Sequence, residues 1–151
     1  MNNKKVICFV IPTLQMGGME RVASLLSNYG IKQEYSIHII CLINMTSYYH
    51  VDSNVSIIAP SFEYKKGLLN KIRVFYFLFS CLKKIKPNTV LSFSEIFNPL
   101  SIITAKLVKV PVYISDRSSP EKKLGLFTQI LRQLTYPFAN GMVSQTELAK
   151  S

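Results

Sequence analysis

The amino-acid sequence predicts an α/β domain built on a doubly wound parallel sheet. Three observations lead to this prediction. Short apolar runs alternate with longer segments whose apolar residues recur at helical spacing, the runs are apolar throughout, and the length of 151 residues suits one domain. Strands that are apolar on both sides are typical of a parallel sheet, because helices cover both of its faces.

The alternation places six strands and the helices between them. Strands are predicted over residues 6–11, 35–43, 55–59, 89–93, 112–115 and 141–144, and helices over 19–30, 67–86, 98–108, 124–138 and from 145 onward. Gly30 is predicted to end the first helix, and Asn98 to cap the third, with Pro99 at its first position. In the strand order 3-2-1-4-5-6, the order reverses between strands one and four, where open α/β sheets bind ligands.

The composition excludes intrinsic disorder and favours an anionic partner. Hydrophobic residues make up 48% of the chain and charged residues 17%, which supplies enough apolar side chains for a buried core. Lys and Arg number 18 against 8 Asp and Glu, so the formal net charge is +10. This balance favours phosphates, acidic lipid or nucleic acid, and it does not choose among them.

The cysteines and the hydropathy indicate the redox compartment of the protein and its relation to membranes. Cys8, Cys41 and Cys81 all lie in apolar runs, so we expect reduced thiols in a reducing compartment. No Cys or His pair has the spacing of metal ligands, and no metal site is expected. The apolar runs at 6–11 and 74–82 are much shorter than the ~20 residues of a spanning helix. We therefore expect a soluble or peripheral protein whose first run is a strand and not a signal peptide.

Gly17 and Gly18 form the sharpest local feature, because they stand between the first strand and the first helix. Two glycines allow positive φ and a close approach of the backbone to a ligand, and the N–H groups at a helix start favour an anion. A plain turn before the helix is the alternative. Glu20 and Arg21 in the first turn are expected to give structural support. The spacing matches neither the Walker loop nor the dinucleotide fingerprint.

Polar residues also follow the fourth and fifth strands. Ser94 and Glu95 end the fourth strand, where they are either functional or a cap for the next helix. Asp116 and Arg117 end the fifth. Asp116 suits the orientation or deprotonation of a hydroxyl group and Arg117 suits a phosphate, while an ion pair within a turn is the alternative. No Asp-x-Asp pair or Ser-His-Asp arrangement is present in the sequence.

The helix predicted over 67–86 carries aromatic residues between basic clusters. The aromatic residues are Phe75, Tyr76, Phe77 and Phe79, and the clusters are Lys65 with Lys66 and Lys83, Lys84 with Lys86. Most of these aromatic side chains are expected in the core, because a doubly wound sheet must be covered. A surface that rests on anionic lipid is the alternative.

Four segments, taken in order, resemble a known family. They are residues 11–21 (IPTLQMGGMER), 87–94 (PNTVLSFS), 114–117 (ISDR) and 139–147 (ANGMVSQTE). Together they resemble the opening half of family 4 glycosyltransferases, which are retaining enzymes of the GT-B architecture. The resemblance implies that residues 1–151 form a Rossmann-like, acceptor-side N-terminal domain. It also implies that the C-terminal donor domain is absent and that the isolated chain is an inactive part of a glycosyltransferase.

The resemblance also assigns roles to the candidate residues. Gly17 and Gly18 would face the donor diphosphate, with Glu20 and Arg21 as support. The acceptor side would be lined by Ser94, Glu95, Asp116 and Arg117, of which Asp116 and Glu95 are the catalytic candidates. Many members carry a His near the end of strand five, and this chain has Ser115-Asp116-Arg117 there instead.

The partners implied by the resemblance are a nucleotide-sugar donor and a glycan or lipid-linked glycan acceptor of cell-surface polysaccharide synthesis. The nucleotide sugar is a substrate, and no cofactor and no metal are expected. A cytoplasmic protein at the inner face of an anionic membrane fits the net charge of +10. Nucleic acid is not expected as a partner, because the basic residues form no single stripe. The alternative function is a non-catalytic α/β module that binds a phospho-ligand or docks a partner.

Overall fold

The computed structural model describes residues 3–116 and 125–144 of the chain. They form a six-stranded sheet, parallel at every pairing, in the order β3-β2-β1-β4-β5-β6. The strands are β1 Val6–Ile11, β2 Ser36–Cys41, β3 Ser56–Ile58, β4 Thr89–Phe93, β5 Val112–Asp116 and β6 Gly141–Ser144. The predicted fold class and strand order are confirmed.

In the described part of the chain, four helices accompany the sheet. They are α1 Gly18–Lys32, α2 Leu68–Ile85, α3 Asn98–Leu107 and α4 Leu126–Thr135, and a 3₁₀ turn Tyr136–Phe138 continues α4. One apolar cluster joins α2 and α3 to the sheet, and a separate cluster joins α1 to it. The helices therefore cover both faces, with α1 on one face and α2 and α3 on the other. The helix predicted from residue 145 lies outside the described residues.

β1 shows how the two apolar clusters arise from a strand that is apolar throughout. Cys8 and Val10 belong to the cluster under α2 and α3, whereas Phe9 and Ile11 belong to the cluster under α1. Successive side chains of a strand point to opposite faces, so only an uninterrupted apolar run can serve both helical layers. Burial raises the pKa of the Cys8 thiol to about 12, which fits its prediction as a small hydrophobic residue.

Gly30 does not end α1, so that prediction was wrong. The helix continues to Lys32, and Gln33 is its C-cap. Gly30 is buried, and a Cβ there would lie 2.7 Å from Cδ1 of Ile37 on β2. The glycine therefore serves close packing of the helix on the sheet, and the chain turns later, at Glu34, whose φ is +63°.

Asn98 is not the cap of α3. Phe97 occupies that position, and Asn98 is the first helical residue, with Pro99 directly after it. The Asn98 side chain is completely buried and donates toward β5 and the 3₁₀ turn after α4 instead of toward the start of its own helix. Tertiary contacts therefore override the local capping preference of asparagine.

The aromatic residues of α2 lie mostly outside the core, contrary to prediction. The buried residues of α2 are aliphatic, namely Val74, Leu78 and Leu82. Phe77 packs against the core from its edge, Phe75 and Phe79 stack on each other with ring centroids 6.4 Å apart, and Tyr76 is exposed. The i, i+4, i+8 spacing of the aliphatic residues sets the buried stripe. Within the described residues, no helix is both long and apolar enough to cross a bilayer.

Candidate functional site

The carboxyl ends of the strands meet at one edge of the sheet, and the strand order reverses there between β1 and β4. β1 pairs with β2 on one side and with β4 on the other. The chain leaves β1 toward α1 on one face and leaves β4 toward α3 on the other. The two connections diverge at this point, so the edge between them is the expected position of a ligand.

Gly17 and Gly18 lie at this edge, at the start of α1. Gly18 is exposed and is the first residue of the helix, and a Cβ added to it would meet no atom within 4 Å. Gly17 is the N-cap and has φ 177°, which is extended backbone that any residue adopts. Gly17 therefore does not use the positive φ that glycine allows, and space decides the choice of glycine there instead.

Glu20 and Tyr49 occupy the space around Gly17. A Cβ on Gly17 would collide with the Glu20 carboxylate, so the glycine allows that side chain to fold back over the helix start. The N–H of Gly17 donates to the hydroxyl of Tyr49 at 3.3 Å. A carboxylate in the first turn also interacts favourably with the helix dipole. Arg21 is exposed, and its N–H donates to the carbonyl of Gly17 at 3.1 Å.

Tyr49 is held in place by a pairing of the loops that follow β1 and β2. Leu14 forms an isolated parallel bridge with Ser47, and the N–H of Tyr48 donates to the carbonyl of Leu14 at 2.9 Å. The rings of Tyr48 and Tyr49 pack edge to face, with centroids 5.2 Å apart. This contact between distant loops gave no signal in the sequence, because neither loop has a repeated or periodic pattern.

Ser94 follows β4 in a strained backbone conformation. Its φ is +146°, in a region that non-glycine residues rarely adopt, and the residue is buried. Such a conformation costs about 1–3 kcal/mol. The Ser94 carbonyl accepts hydrogen bonds from the N–H groups of Phe97 at 3.1 Å and Asn98 at 2.7 Å. These bonds hold the strained residue at the end of the strand, beside the point where the strand order reverses.

Asp116 is the last residue of β5 and is enclosed by side chains of α4 and the turn that continues it. Its carboxylate forms an ion pair with Arg132 and accepts a hydrogen bond from the hydroxyl of Tyr136 at 3.1 Å. Asp116 and Arg132 keep only 7% and 24% of their side-chain surface exposed. Arg132 and Tyr136 are one helical turn apart, and the guanidinium lies over the phenol ring, 5.0 Å from its centroid.

Asn98 completes this polar cluster from α3. Its Nδ2 lies 3.4 Å from the carbonyl oxygen of Ser115 and 3.4 Å from the Tyr136 hydroxyl, while its Oδ1 is buried and has no hydrogen-bond partner among the described residues. Burial raises the pKa of the Tyr136 phenol; the hydrogen bond from Asn98 opposes this shift, and the charge of Asp116 adds to it. The phenol therefore stays protonated and donates to Asp116 at neutral pH.

The cluster opens on one side to a groove on α4. The groove has a volume of about 470 Å³ and is lined by Gln129, Arg132, Gln133, Tyr136 and Pro137. Arg132 and Tyr136 thus lie between the buried Asp116 and the surface. Sequence reasoning missed both residues, because the segment between β5 and α4 separates them from Asp116 along the chain. Their i, i+4 spacing on a helix was the one available signal.

The structure brings several predicted residues to the same edge and leaves others untested. Ser94 and Glu95 follow β4, Asp116 ends β5, and Gly17 and Gly18 follow β1. Arg117 lies outside the described residues. Across the parts of the chain that the structure describes, no three His, Cys, Asp or Glu side chains lie close enough to share a metal ion.

The chemistry available at this edge differs between its two sides. The start of α1 has the positive end of a helix dipole and backbone N–H groups, of which the Gly17 N–H already donates to Tyr49, and such a helix end suits a phosphate. The end of β5 offers an ion pair, a phenol and an amide, which suit the hydroxyl groups of a neutral polar molecule.

Comparison with known proteins supplies a relative. No protein-family model matches the chain. An α-1,4-N-acetyl-D-galactosaminyltransferase of Campylobacter jejuni is 28% identical to it over 141 residues. The full name of that enzyme includes GalNAc-α-(1→4)-GalNAc-α-(1→3)-diNAcBac-PP-undecaprenol, a glycan on a lipid diphosphate. The alignment covers 90% of this chain and 39% of the relative, so the chain spans about two fifths of the relative's length.

Solved structures share the fold. The chain is similar to UDP-N-acetylglucosamine 2-epimerase from Rickettsia bellii, with a TM-score of 0.71, 14% identity, and coverage of 98% of this chain and 40% of that one. It is also similar to MurG from Acinetobacter baumannii, with a TM-score of 0.63, 14% identity, and coverage of 93% and 41%. The galactosyltransferase WaaB of the lipopolysaccharide outer core gives a TM-score of 0.57, 15% identity, and coverage of 72% and 32%.

The likenesses agree with one another on the architecture. Each likeness covers most of this chain and a minor part of the matched protein. The matches to MurG, WaaB and the Campylobacter relative are consistent with a GT-B N-terminal domain. The chain therefore has the Rossmann-like fold found in the N-terminal domain of GT-B glycosyltransferases, and the resemblance to that architecture predicted from the sequence is confirmed.

Proposed function

We propose that this chain is the acceptor-side domain of a retaining glycosyltransferase that extends a glycan or lipid-linked glycan in cell-surface polysaccharide synthesis. One observation carries the proposal: the Gly17–Gly18 helix start and the polar ends of β4 and β5 meet at a single edge, where the strand order reverses. The Campylobacter relative supports the substrate class, because its name specifies a glycan on undecaprenyl diphosphate.

The chemistry of transfer assigns the donor diphosphate to the start of α1 and the acceptor to the end of β5. Transfer breaks the bond between the sugar C1 and the donor diphosphate and forms a bond from C1 to an acceptor oxygen. The departing diphosphate gains negative charge and takes up the acceptor proton. The helix start at Gly18 suits that charge once the Glu20 carboxylate, which folds back over Gly17, turns away. The cluster of Asp116, Arg132 and Tyr136 suits the acceptor, whose hydroxyl groups both donate and accept hydrogen bonds.

Asp116 has a positioning role in this proposal. The Asp116 carboxylate is already paired with Arg132 and accepts a hydrogen bond from the Tyr136 hydroxyl. We assign to it the orientation of Arg132 and Tyr136 toward the groove on α4. Glu95 and Arg117 complete the acceptor side in the proposal, and Glu95 is then the remaining candidate for direct contact with the reacting hydroxyl.

The donor half would come from residues outside this chain. The matched part of the Campylobacter relative is 39% of its length, which agrees with one domain of a two-domain enzyme. The isolated chain would then bind acceptor without completing transfer. No resident metal is required, so a chelator leaves transfer unchanged. The protein would act in the cytoplasm, at the inner face of a membrane that holds the lipid-linked acceptor.

A transfer assay on the complete natural protein tests the proposal. UDP- and GDP-sugars are incubated with undecaprenyl-diphosphate glycans, and the products are identified by mass spectrometry. Nuclear magnetic resonance then gives the anomeric configuration of the new linkage. Retention of the donor configuration supports the proposal, while absence of transfer from every donor contradicts it. Formation of a free epimerised sugar without acceptor would assign the fold to an epimerase instead.

A matched pair of variants tests the role of the helix start. A Cβ meets no atom within 4 Å at either Gly18 or Gly125, and both glycines lie at helix N-termini. Asp at either position fits and interacts favourably with the helix dipole, so neither variant should unfold. Gly18→Asp is expected to weaken UDP binding about tenfold or more through charge repulsion, and Gly125→Asp to leave it unchanged. Equal UDP binding by both variants, measured by calorimetry, would contradict the assignment.

A further inference from the structure

An apolar patch lies at the N-terminal ends of three helices on one face of the molecule. It consists of Leu68, Leu69 and Ile72 of α2, Ile96 before α3, and Phe127 and Ile130 of α4, and these side chains are 44–77% exposed. Exposed apolar residues are normal when they are scattered, whereas a contiguous patch marks an interaction surface.

Contacts join the three segments that carry the patch. The Nζ of Lys71 on α2 lies 5.5 Å from the ring centroid of Phe127 on α4. A narrow groove of about 90 Å³ is lined by residues of all three segments, among them Lys71, Ile96 and Leu131. The side chains from α2, α3 and α4 therefore form one surface.

Basic residues outnumber acidic ones around the patch, where Glu95 directly precedes Ile96 and Glu63 lies beside Lys65. The three helices carry six basic residues and no Asp or Glu. The basic residues are Lys71, Arg73, Lys83, Lys84, Lys106 and Arg132. Lys66 is exposed and lies two residues before α2, and the exposed Lys65 forms an ion pair with Glu63 at 3.8 Å. By contrast, α1 on the other face of the sheet contains Glu20 together with Arg21 and Lys32.

We propose that this patch is the surface through which the protein docks on an anionic lipid bilayer. Apolar side chains with lysines around them can enter the boundary between headgroups and acyl chains while the ammonium groups stay with the phosphates. A second copy of the chain fits less well, because two patches of the same positive sign would repel each other. The inference deepens the proposed function and rests on it, since it assigns the face that meets the membrane.

The position of the patch fits this role. In a parallel α/β sheet each helix begins near the carboxyl ends of the strands, so the patch adjoins the edge that holds the candidate site. A protein that docks through this patch would hold that edge beside the headgroups. A glycan attached to a lipid diphosphate would then reach the site without leaving the bilayer.

Vesicle flotation of the complete natural protein tests the inference. The vesicles contain equal parts of phosphatidylcholine and phosphatidylglycerol, or phosphatidylcholine alone. We expect binding to the anionic vesicles and much weaker binding to the neutral ones. Lys66→Gln with Arg73→Gln should lower the partition coefficient about twenty-five-fold, at about fivefold for each basic side chain. Lys5→Gln with Lys32→Gln, which changes exposed lysines elsewhere, should leave it within about twofold.

A second matched pair tests the apolar side chains. Leu69→Ser with Phe127→Ser removes two exposed side chains of the patch and should lower vesicle binding about tenfold or more. Leu25→Ser with Tyr29→Ser removes comparable exposed surface from α1 and should leave binding unchanged. Equal losses in both pairs would overturn the proposal, as would a change from oligomer to monomer in the Leu69→Ser, Phe127→Ser protein without loss of vesicle binding.

Transfer assays keep this inference separate from the proposed function. With acceptor embedded in vesicles, the Leu69→Ser, Phe127→Ser protein should lose most transfer. With a short-chain, detergent-free acceptor in solution, it should transfer as the unchanged protein does. Transfer by the unchanged protein without vesicle binding would overturn the docking surface and leave the proposed function standing. Vesicle binding without transfer to any acceptor would overturn the proposed function and leave the docking surface standing.

Discussion

The two sides of the reversal point differ in how their polar groups are used. After β1, the candidate groups are backbone amides at the open start of α1, where a Cβ added to Gly18 would meet no atom within 4 Å. At the end of β5, the candidate groups are side chains that already bind one another, with Asp116 held by Arg132 and Tyr136. The start of α1 thus has space beside Gly18, whereas the side chains at the end of β5 are bonded to one another.

This difference indicates which of the two, the start of α1 or the end of β5, can bind ligands of different charge. The helix start beside Gly18 can accommodate an anion without breaking an ion pair, but the Glu20 carboxylate over Gly17 must first turn away. A closed cluster of buried charge must break internal bonds before it accepts new ones, which limits it to ligands that share its hydrogen bonds. Substitutions at each side measure how much space the helix start has and how firmly the side chains at the end of β5 hold one another.

The largest effect is expected for Asp116→Ala. The change leaves Arg132 without its anion in a site where the Arg132 side chain is only 24% exposed. Breaking such a pair should lower the free energy of unfolding by about 2–3 kcal/mol. Urea denaturation followed by circular dichroism measures this quantity. Asp116→Asn keeps an acceptor for the Tyr136 hydroxyl and should recover part of the loss. A wild-type urea midpoint for Asp116→Ala would show that the side chains at the end of β5 do not hold one another firmly.

Tyr136→Phe should have the next largest effect, because it removes a hydrogen bond to the buried Asp116. We expect the free energy of unfolding to fall by about 1 kcal/mol at neutral pH. The pKa of Tyr136 is raised in the folded state, chiefly by burial. Stability from this group is present below the ordinary tyrosine pKa and is lost as pH rises through the folded pKa.

The pH dependence of Tyr136→Phe therefore has a defined sign. Above pH of about 10, the wild-type protein should lose stability faster than the variant, so the difference between them shrinks. Urea midpoints at rising pH measure the difference, and ultraviolet absorbance of the phenolate reports the late ionisation of one tyrosine. A Tyr136 phenol that ionises together with the exposed tyrosines would refute the enclosure of the cluster.

Gly17→Ala should have a smaller effect at the start of α1. The added Cβ would collide with the Glu20 carboxylate, which is the flexible end of a side chain and can turn away. We expect a loss of about 0.5–1 kcal/mol, mainly from the displaced helix-dipole interaction. Gly18→Ala, which meets open space, serves as the matched control. In a Glu20→Ala background the cost of Gly17→Ala should vanish, and a persistent cost would point to a backbone constraint instead.

Tyr49→Phe should have the smallest effect. The hydroxyl accepts one hydrogen bond from the N–H of Gly17 at 3.3 Å, and water can replace it at this partly exposed site. We expect a change in stability of about 0.5 kcal/mol or less. Amide hydrogen exchange at Gly17 should accelerate, with Gly30 in the buried part of α1 as the internal reference. Unchanged exchange at Gly17 would mean that the phenol does not cover the amide.

The fold could be predicted largely because burial on both faces leaves a strong signal. β4 and β6 were predicted with the observed bounds, and β1 likewise, because each is a short apolar or small-residue run between turn-forming residues. The errors at Gly30 and Asn98 have one cause. Local capping preferences are weaker than the tertiary contacts that these residues make, with Ile37 for Gly30 and with Ser115 and Tyr136 for Asn98.

The candidate site could be predicted only where it depends on strand ends. Gly18, Ser94 and Asp116 were found because parallel strands bring their carboxyl ends to one edge. Arg132 and Tyr49 were missed because they reach that edge from a distant helix and a paired loop, through contacts that no periodicity encodes. The roles of these residues toward donor and acceptor stay predictions.

The unusual backbone of Ser94 has an evolutionary consequence. A position at φ +146° is one that glycine occupies with little strain, so selection for folding alone would drift toward glycine there. A serine kept at such a position over many generations would indicate that its hydroxyl is under selection in its own right. The residue type found at position 94 in related proteins would thus show whether folding or a role of the serine hydroxyl has determined it.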